Sequence, residues 1–152
     1  MQGIVEDIFV ADQGGAAMQR VVEVEAVAGQ GLQGDRYMHG TGFYSRTDEC
    51  EVTLIEIEAL ELIQAETDVR VVDGEHRRNI VTRNLRLHEL VGRRFTIGET
   101  VLKYDRPRPP CGYIQTITQH GMTKALADGR GGICARVIKT GMIRVHDRIE
   151  LL

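Results

Sequence analysis

A chain of 152 residues with 42% hydrophobic and 27% charged residues has the size and composition of one globular domain, able to bury a core without metal or disulfide staples. Its net charge of −3 and pI near 6.0 exclude a nucleic-acid binder that relies on a basic face, and no apolar run approaches the ~20 residues of a membrane span. Three cysteines fit a reducing compartment better than a disulfide framework, and the acidic start MQGIVEDIFV is unlike a signal peptide, so a cytoplasmic location is expected.

Residues 3–10 read as a strand and Asp12-Gln-Gly-Gly15 as a turn. In QRVVEVEAV (19–27), Val22, Val24 and Ala26 alternate with Glu23 and Glu25, which is the period of a half-buried strand, so the first 27 residues predict a hairpin. A loop with five glycines follows from Gly29 to Gly42, centred on Gly34-Asp35-Arg36. Glycine lets backbone amides approach a ligand, Arg36 binds an anion, and Asp35 orients that arginine or accepts from a heterocycle. No GK[ST] follows, so this is neither a Walker loop nor a dinucleotide fingerprint.

EVTLI (51–55) predicts a strand and 56–65 a helix with Ile57, Leu60 and Ile63 on one face. The run His76-Arg-Arg-Asn-Ile-Val-Thr-Arg-Asn84 concentrates donors. Ile80 and Val81 anchor it, while Arg77, Arg78, Asn79, Thr82, Arg83 and Asn84 suit an anion and a polar ring system. Crowded guanidinium groups repel one another unless an anion is present; the competing reading is a solvated, charged edge strand. Residues 85–91 predict a helical turn ending at Gly92, and 94–104 a hairpin turning at Gly98-Glu99.

All three prolines fall in Arg106-Pro-Arg-Pro-Pro-Cys-Gly112. Proline fixes φ and donates no backbone hydrogen bond, so an extended, stiff segment is expected here, neither helix nor central strand. Arg106 and Arg108 would lower the pKa of Cys111, making it the candidate reactive thiol. Short helices broken at Gly121 are expected over 113–127. Gly129-Arg-Gly-Gly132 forms a third glycine-arginine loop, opening a strand over 133–139 in which Cys134 is buried and inert. Of 19 basic residues only Lys103, Lys124 and Lys139 are lysine, leaving 16 arginines. Arginine's planar fork suits a small phosphate or carboxylate ligand. Short strands, few helices and regular turns predict a mainly β barrel.

The order GLQGDRYMHG (31–40), EVTLIEIEAL (51–60), RRNIVTRNLRLHELVGRRFTIGE (77–99), RPRPPC (106–111) and GRGGICARVIKTGMIRVHDRIEL (129–151) resembles the MOSC domain family, and a small stand-alone bacterial-type member of it. The resemblance implies a β-barrel with a few short helices, one MOSC domain over 1–152, and binding of the molybdenum cofactor (molybdopterin). No pyridoxal phosphate is expected in this chain alone. Carried over residue by residue, it makes Cys111 the catalytic residue and molybdenum ligand. It assigns Asp35, Arg36, Arg77, Arg78, Asn79, Thr82, Arg83, Asn84 and Arg130 to cofactor binding.

Two chemistries then follow: reduction of N-hydroxylated or similar small substrates at molybdenum, or sulfur transfer through a Cys111 persulfide. A non-catalytic cofactor carrier and a plain interaction barrel remain as alternatives. The partners expected are a small-molecule substrate and a separate electron-donor or sulfur-donor protein, with no nucleic acid and no membrane.

Overall fold

The computed structural model describes residues 2–39, 50–110 and 112–152, with the His39 side chain excepted. In chain order the strands are β1 (Gln2–Val10), β2 (Gln19–Val21), β3 (Glu23–Val27), β4 (Gly31–Leu32), β5 (Val52–Glu56), β6 (Ile80–Arg83), β7 (Arg94–Ile97), β8 (Thr100–Pro107), β9 (Ile133–Lys139), β10 (Gly141–Arg144) and β11 (Arg148–Leu151). The helices are α1 (Arg36–His39), α2 (Ile57–Glu66), α3 (Gly112–Ile117) and α4 (Met122–Ala125), with a 3-10 turn at Leu87–Leu90. None of the described helices is long and apolar enough to cross a membrane.

Pairing runs β1–β11–β7–β8–β9–β5–β6 and back to β1, which closes a barrel of seven strands; β2 hangs on β1, and β10, β3 and β4 form a second small sheet. An odd ring cannot alternate direction all the way round, so one neighbouring pair must be parallel. That pair is β5 with β6, in register Leu54↔Ile80. Parallel neighbours need a crossover, supplied here by residues 57–79 with α2 at their start.

The crossover explains the core. Alternate residues of a strand face opposite sides, so Ile8, Leu54 and Ile80 point into one apolar cluster with Val5, Phe95, Leu102 and Val137. Their neighbours Phe9, Ile55 and Val81 point the other way, into a second cluster with Leu60, Ile63, Met122 and Leu126. Helix α2 buries Ile57, Leu60 and Ile63 over the outer face of β5 and β6, which leaves both strands apolar on both sides. Each such side chain contributes about 1.5–3 kcal/mol.

Two local expectations change. The stretch 19–27 is not one strand: it breaks at Val22, which is 75% exposed. There β2 stays with β1 while β3 leaves to pair with β10 and β4, so alternation continues in composition but not in structure. The proline segment is also less separate than expected, because β8 runs on to Pro107. Past Tyr104, whose amide still donates to the carbonyl of Arg93, its only ladder partner among the described residues is β9, and a strand with one open side tolerates the missing N–H of proline. At Gly132 the positive φ of 88° and a close approach meet: a Cβ there would lie 2.0 Å from the carbonyl oxygen of Leu54, so any side chain would push the 129–132 loop off β5.

Candidate functional site

Three stretches far apart in sequence meet at the start of β6. The first is the Gly-Asp-Arg loop. Asp35, fully buried, accepts through Oδ1 from the amide of Ala11 (3.1 Å) and from Arg36 (3.1 Å), and through Oδ2 from the amide of Tyr37 (3.3 Å). It thereby ties the end of β1 to the start of α1, as a helix-capping carboxylate does, and aims Arg36. The Arg36 guanidinium also donates to the carbonyl of Arg77 (2.9 Å) and to the Tyr37 hydroxyl (3.4 Å). Its carbon sits 4.5 Å from the Tyr37 ring centroid.

The second stretch is 76–79. Arg77 takes a left-handed backbone, φ 66°, closing a turn through its amide on Gly74 (2.9 Å). Such a conformation is costly for a residue with a Cβ and is found where a site must hold a group in place. The Arg77 guanidinium donates to the carbonyl of Ala16. Arg78 donates through Nε to the carbonyl of Gly131 (2.6 Å) and through a terminal nitrogen to the carbonyl of Arg108 (3.1 Å). It thus binds the third stretch, the proline segment with the glycine-arginine loop. Arg108 in turn donates to the Tyr37 hydroxyl (3.2 Å).

The electrostatics are one-sided. Arg36, Arg77 and Arg78 are all buried, yet only Arg36 has an acid, Asp35, as ion-pair partner; no carboxylate among the described residues pairs with Arg77 or Arg78. Burial first, then the charge of Arg36, draws the Arg77 guanidinium below its ordinary pKa. Burial also dominates the lowering at Arg78. A surplus of buried positive charge held by carbonyl oxygens is stabilised when an anion enters.

His76, fully buried beneath this cluster, accepts from the amide of Arg78 through Nδ1 (2.9 Å) and packs against Phe9, ring centroids 5.3 Å apart. Its proton therefore resides on Nε2, which has no hydrogen-bond partner among the described residues. Burial, then the charge of Arg78, pushes its pKa down to about 3, so it is neutral. Two further buried thiols lie near Arg78: Cys50, whose Sγ donates to the carbonyl of Val52 (3.6 Å), and Cys134. The neighbouring Cys134 and burial raise the pKa of Cys50, while the neighbouring Cys50 and the charges of Arg108 and Arg78 lower that of Cys134.

The remaining expected ligands do not join. Asn79 is buried and used up, accepting through Oδ1 from the amide (3.0 Å) and hydroxyl (3.1 Å) of Thr53 and donating to the carbonyl of Phe9 (3.1 Å). Thr82 donates to the carbonyl of Ile55 (3.4 Å). Arg83 grips Glu6 with two hydrogen bonds (3.0 and 3.2 Å), and the exposed Asn84 gives its amide to Glu58 (2.9 Å). Arg130 turns away toward Glu66 (3.8 Å). Cys111 and the side chain of His39 lie outside the described residues. Conversely, Tyr37 and Arg108 belong to the cluster although neither was among the expected cofactor ligands; the signal available for Tyr37 was an aromatic residue adjoining Arg36 in the glycine loop.

A model of the MOSC domain family matches residues 36–150. Among solved structures, the YUAD protein from Bacillus subtilis is similar with a TM-score of 0.78 and 18% identity, covering 99% of this chain and 96% of that one. YiiM from Geobacillus stearothermophilus gives 0.76 and 16%, covering 99% and 75%. YiiM from Escherichia coli gives 0.74 and 19%, covering 100% and 70%. At these identities the structural likeness speaks for the fold. No curated protein matches the sequence significantly.

Proposed function

This chain belongs to the MOSC domain family, which is associated with molybdenum cofactor binding, and from that premise we propose that it binds the cofactor and uses it to reduce N-hydroxylated or similar small substrates. The observation that carries the reading is the surplus of buried guanidinium at the start of β6: Arg36, Arg77 and Arg78 with, among the described residues, a single paired carboxylate, Asp35. A pterin cofactor bearing a phosphate fits such a cradle, since a dianion accepts several charge-assisted hydrogen bonds at once.

In this proposal Arg77 and Arg78 hold the anionic end, Asp35 fixes the direction of Arg36, and Cys111 supplies the thiolate ligand to molybdenum. When bound, the molybdenum centre provides two-electron and oxygen-atom chemistry. The reduction breaks the N–O bond, takes two electrons from a separate donor protein and two protons, and releases the oxygen as water. The chain's own residues bind and orient the anion, and the neutral His76 braces the backbone of Arg78 without adding to the positive charge.

The test is elemental mass spectrometry on protein expressed in cells competent for cofactor synthesis, wild type beside Cys111→Ser. The expected result is near-stoichiometric molybdenum in the wild type and its loss in the variant, followed by reduction of an amidoxime with dithionite as electron source. Absence of molybdenum from both would overturn the reading. Retention of molybdenum with a persulfide on Cys111 and no reduction would replace the reductase by a sulfur carrier.

A further inference from the structure

The Tyr37 hydroxyl sits between two guanidinium groups. Arg36 and Arg108 donate to its oxygen at 3.4 and 3.2 Å, and their carbons lie 4.5 and 5.8 Å from its ring centroid. Tyr37 is also close enough to interact electrostatically with Arg77 and Arg78. A phenol oxygen has one proton to give and two acceptor positions, whereas a guanidinium only donates. Both acceptor positions of Tyr37 are therefore taken, and its O–H has to find an acceptor elsewhere. Among the described residues none receives it: Tyr37 has no hydrogen bond beyond those named, apart from the amide it gives to Asp35. The carbonyls of Ala16, Arg77, Arg108 and Gly131 in this cluster accept from its arginines.

We infer that Tyr37 is a ligand-contacting residue, its hydroxyl donating a hydrogen bond to an oxygen of the anion that Arg36, Arg77 and Arg78 hold. The inference rests on the anion-binding reading of this cluster. The two arginines that donate to the phenol oxygen polarise it, which strengthens the bond the phenol makes in turn. The partly buried ring, held between Arg36 and Arg108, fixes where that proton points. Tyr37 thus completes a set composed only of donors. Such a set selects an oxyanion with no proton of its own, a phosphomonoester dianion for instance, over a protonated or hydroxyl-rich group that would bring a donor to meet donors.

The experiment uses methyl phosphate, a phosphomonoester, as probe, at a pH where it is a dianion without a proton of its own, with calorimetric titration of wild type and Tyr37→Phe. Losing a hydrogen bond to a charged acceptor weakens binding roughly tenfold to a hundredfold. The second readout is wild-type protein labelled with ¹³C at the tyrosine ζ carbon. With 4 tyrosines in the chain, the signal absent from Tyr37→Phe is that of Tyr37, and it is expected to move on methyl phosphate addition. Binding within twofold of wild type and an unmoved ζ signal would overturn the role of Tyr37 while leaving the cofactor reading intact. A wild type that binds no methyl phosphate would overturn both. Should Tyr37→Phe not fold, the other three tyrosines, each replaced by Phe, identify the Tyr37 signal by elimination and its response decides.

Discussion

Arginines stand at both ends of β6, and the two ends treat them oppositely. Before the strand, Arg77 and Arg78 are buried and donate to the backbone carbonyls of Ala16, Gly131 and Arg108. At its far end Arg83 is about a third exposed and meets Glu6 and Glu61, while Asn84 meets Glu58. A carbonyl satisfies the hydrogen bonds of a guanidinium but leaves its charge uncompensated, whereas a carboxylate does both. One end therefore keeps a net positive potential for a ligand, and the other is electrically closed.

If that contrast is right, removing Arg77 costs binding and not stability. Arg77→Met relieves a desolvated charge and a repulsion with Arg36, at the expense of one bond to Ala16. The unfolding free energy of the ligand-free protein is expected to change by less than about 1 kcal/mol. Affinity for phosphate is expected to fall by roughly 3 kcal/mol, near a hundredfold. Denaturant titration and calorimetry of the same samples check both. A stability loss above about 2 kcal/mol with binding retained would break the comparison, because Arg77 would then be a structural stitch.

How much of this could be read from the sequence follows from distance along the chain. Local periodicity placed α2 by Ile57, Leu60 and Ile63, and the hairpin at Gly98-Glu99, because those signals lie within one element. The Gly34-Asp35-Arg36 core of the cluster was legible for the same reason: Asp35 acts on its own neighbours. The run 76–84 was legible only as a concentration of donors. Extended chain rises ~3.3 Å per residue, so Arg77 and Arg83 are held up to about 20 Å apart and serve different neighbourhoods. Asn79 and Thr82 looked like ligands because their actual partners, Thr53, Phe9 and Ile55, are brought beside them by pairing of β6 with β5 and β1, which composition does not encode. The switch of sheets at Val22 escaped for the same reason.

The two ends also lose stability in different pH windows. His76 is neutral in the folded protein, its pKa lowered from 6.5 to about 3, so the unfolded chain takes up its proton first. Stability then falls as pH drops from 6.5 toward 3, by about 1 kcal/mol per pH unit. Glu6 is lowered from 4.5, chiefly by its hydrogen bond to Arg83, so its contribution is present above 4.5 and disappears only as pH falls through its lower folded value. Between pH 6.5 and 4.5 the decline therefore reports His76 rather than the Glu6 pair. His76→Gln, whose amide oxygen can still accept from Arg78, is expected to flatten the stability profile in that interval and leave the decline below 4.5. An unchanged slope would show that His76 is protonated in the folded protein.

The smallest effect belongs to the closed end, and it sharpens the contrast because its sign is reversed. Arg83→Gln removes both hydrogen bonds to Glu6 and the contact with Glu61 at 3.5 Å, groups that water screens and can solvate in its place. The expected loss is below about 1 kcal/mol of stability, seen as a shift of the denaturant midpoint that shrinks as salt is added. Phosphate affinity and molybdenum content should stay at the wild-type level, since Arg36, Arg77, Arg78 and Arg108 are untouched. If Arg83→Gln instead weakened anion binding as Arg77→Met does, the two ends of β6 would form one electrostatic unit. The division between carbonyl-held and carboxylate-held arginines would then have no functional meaning.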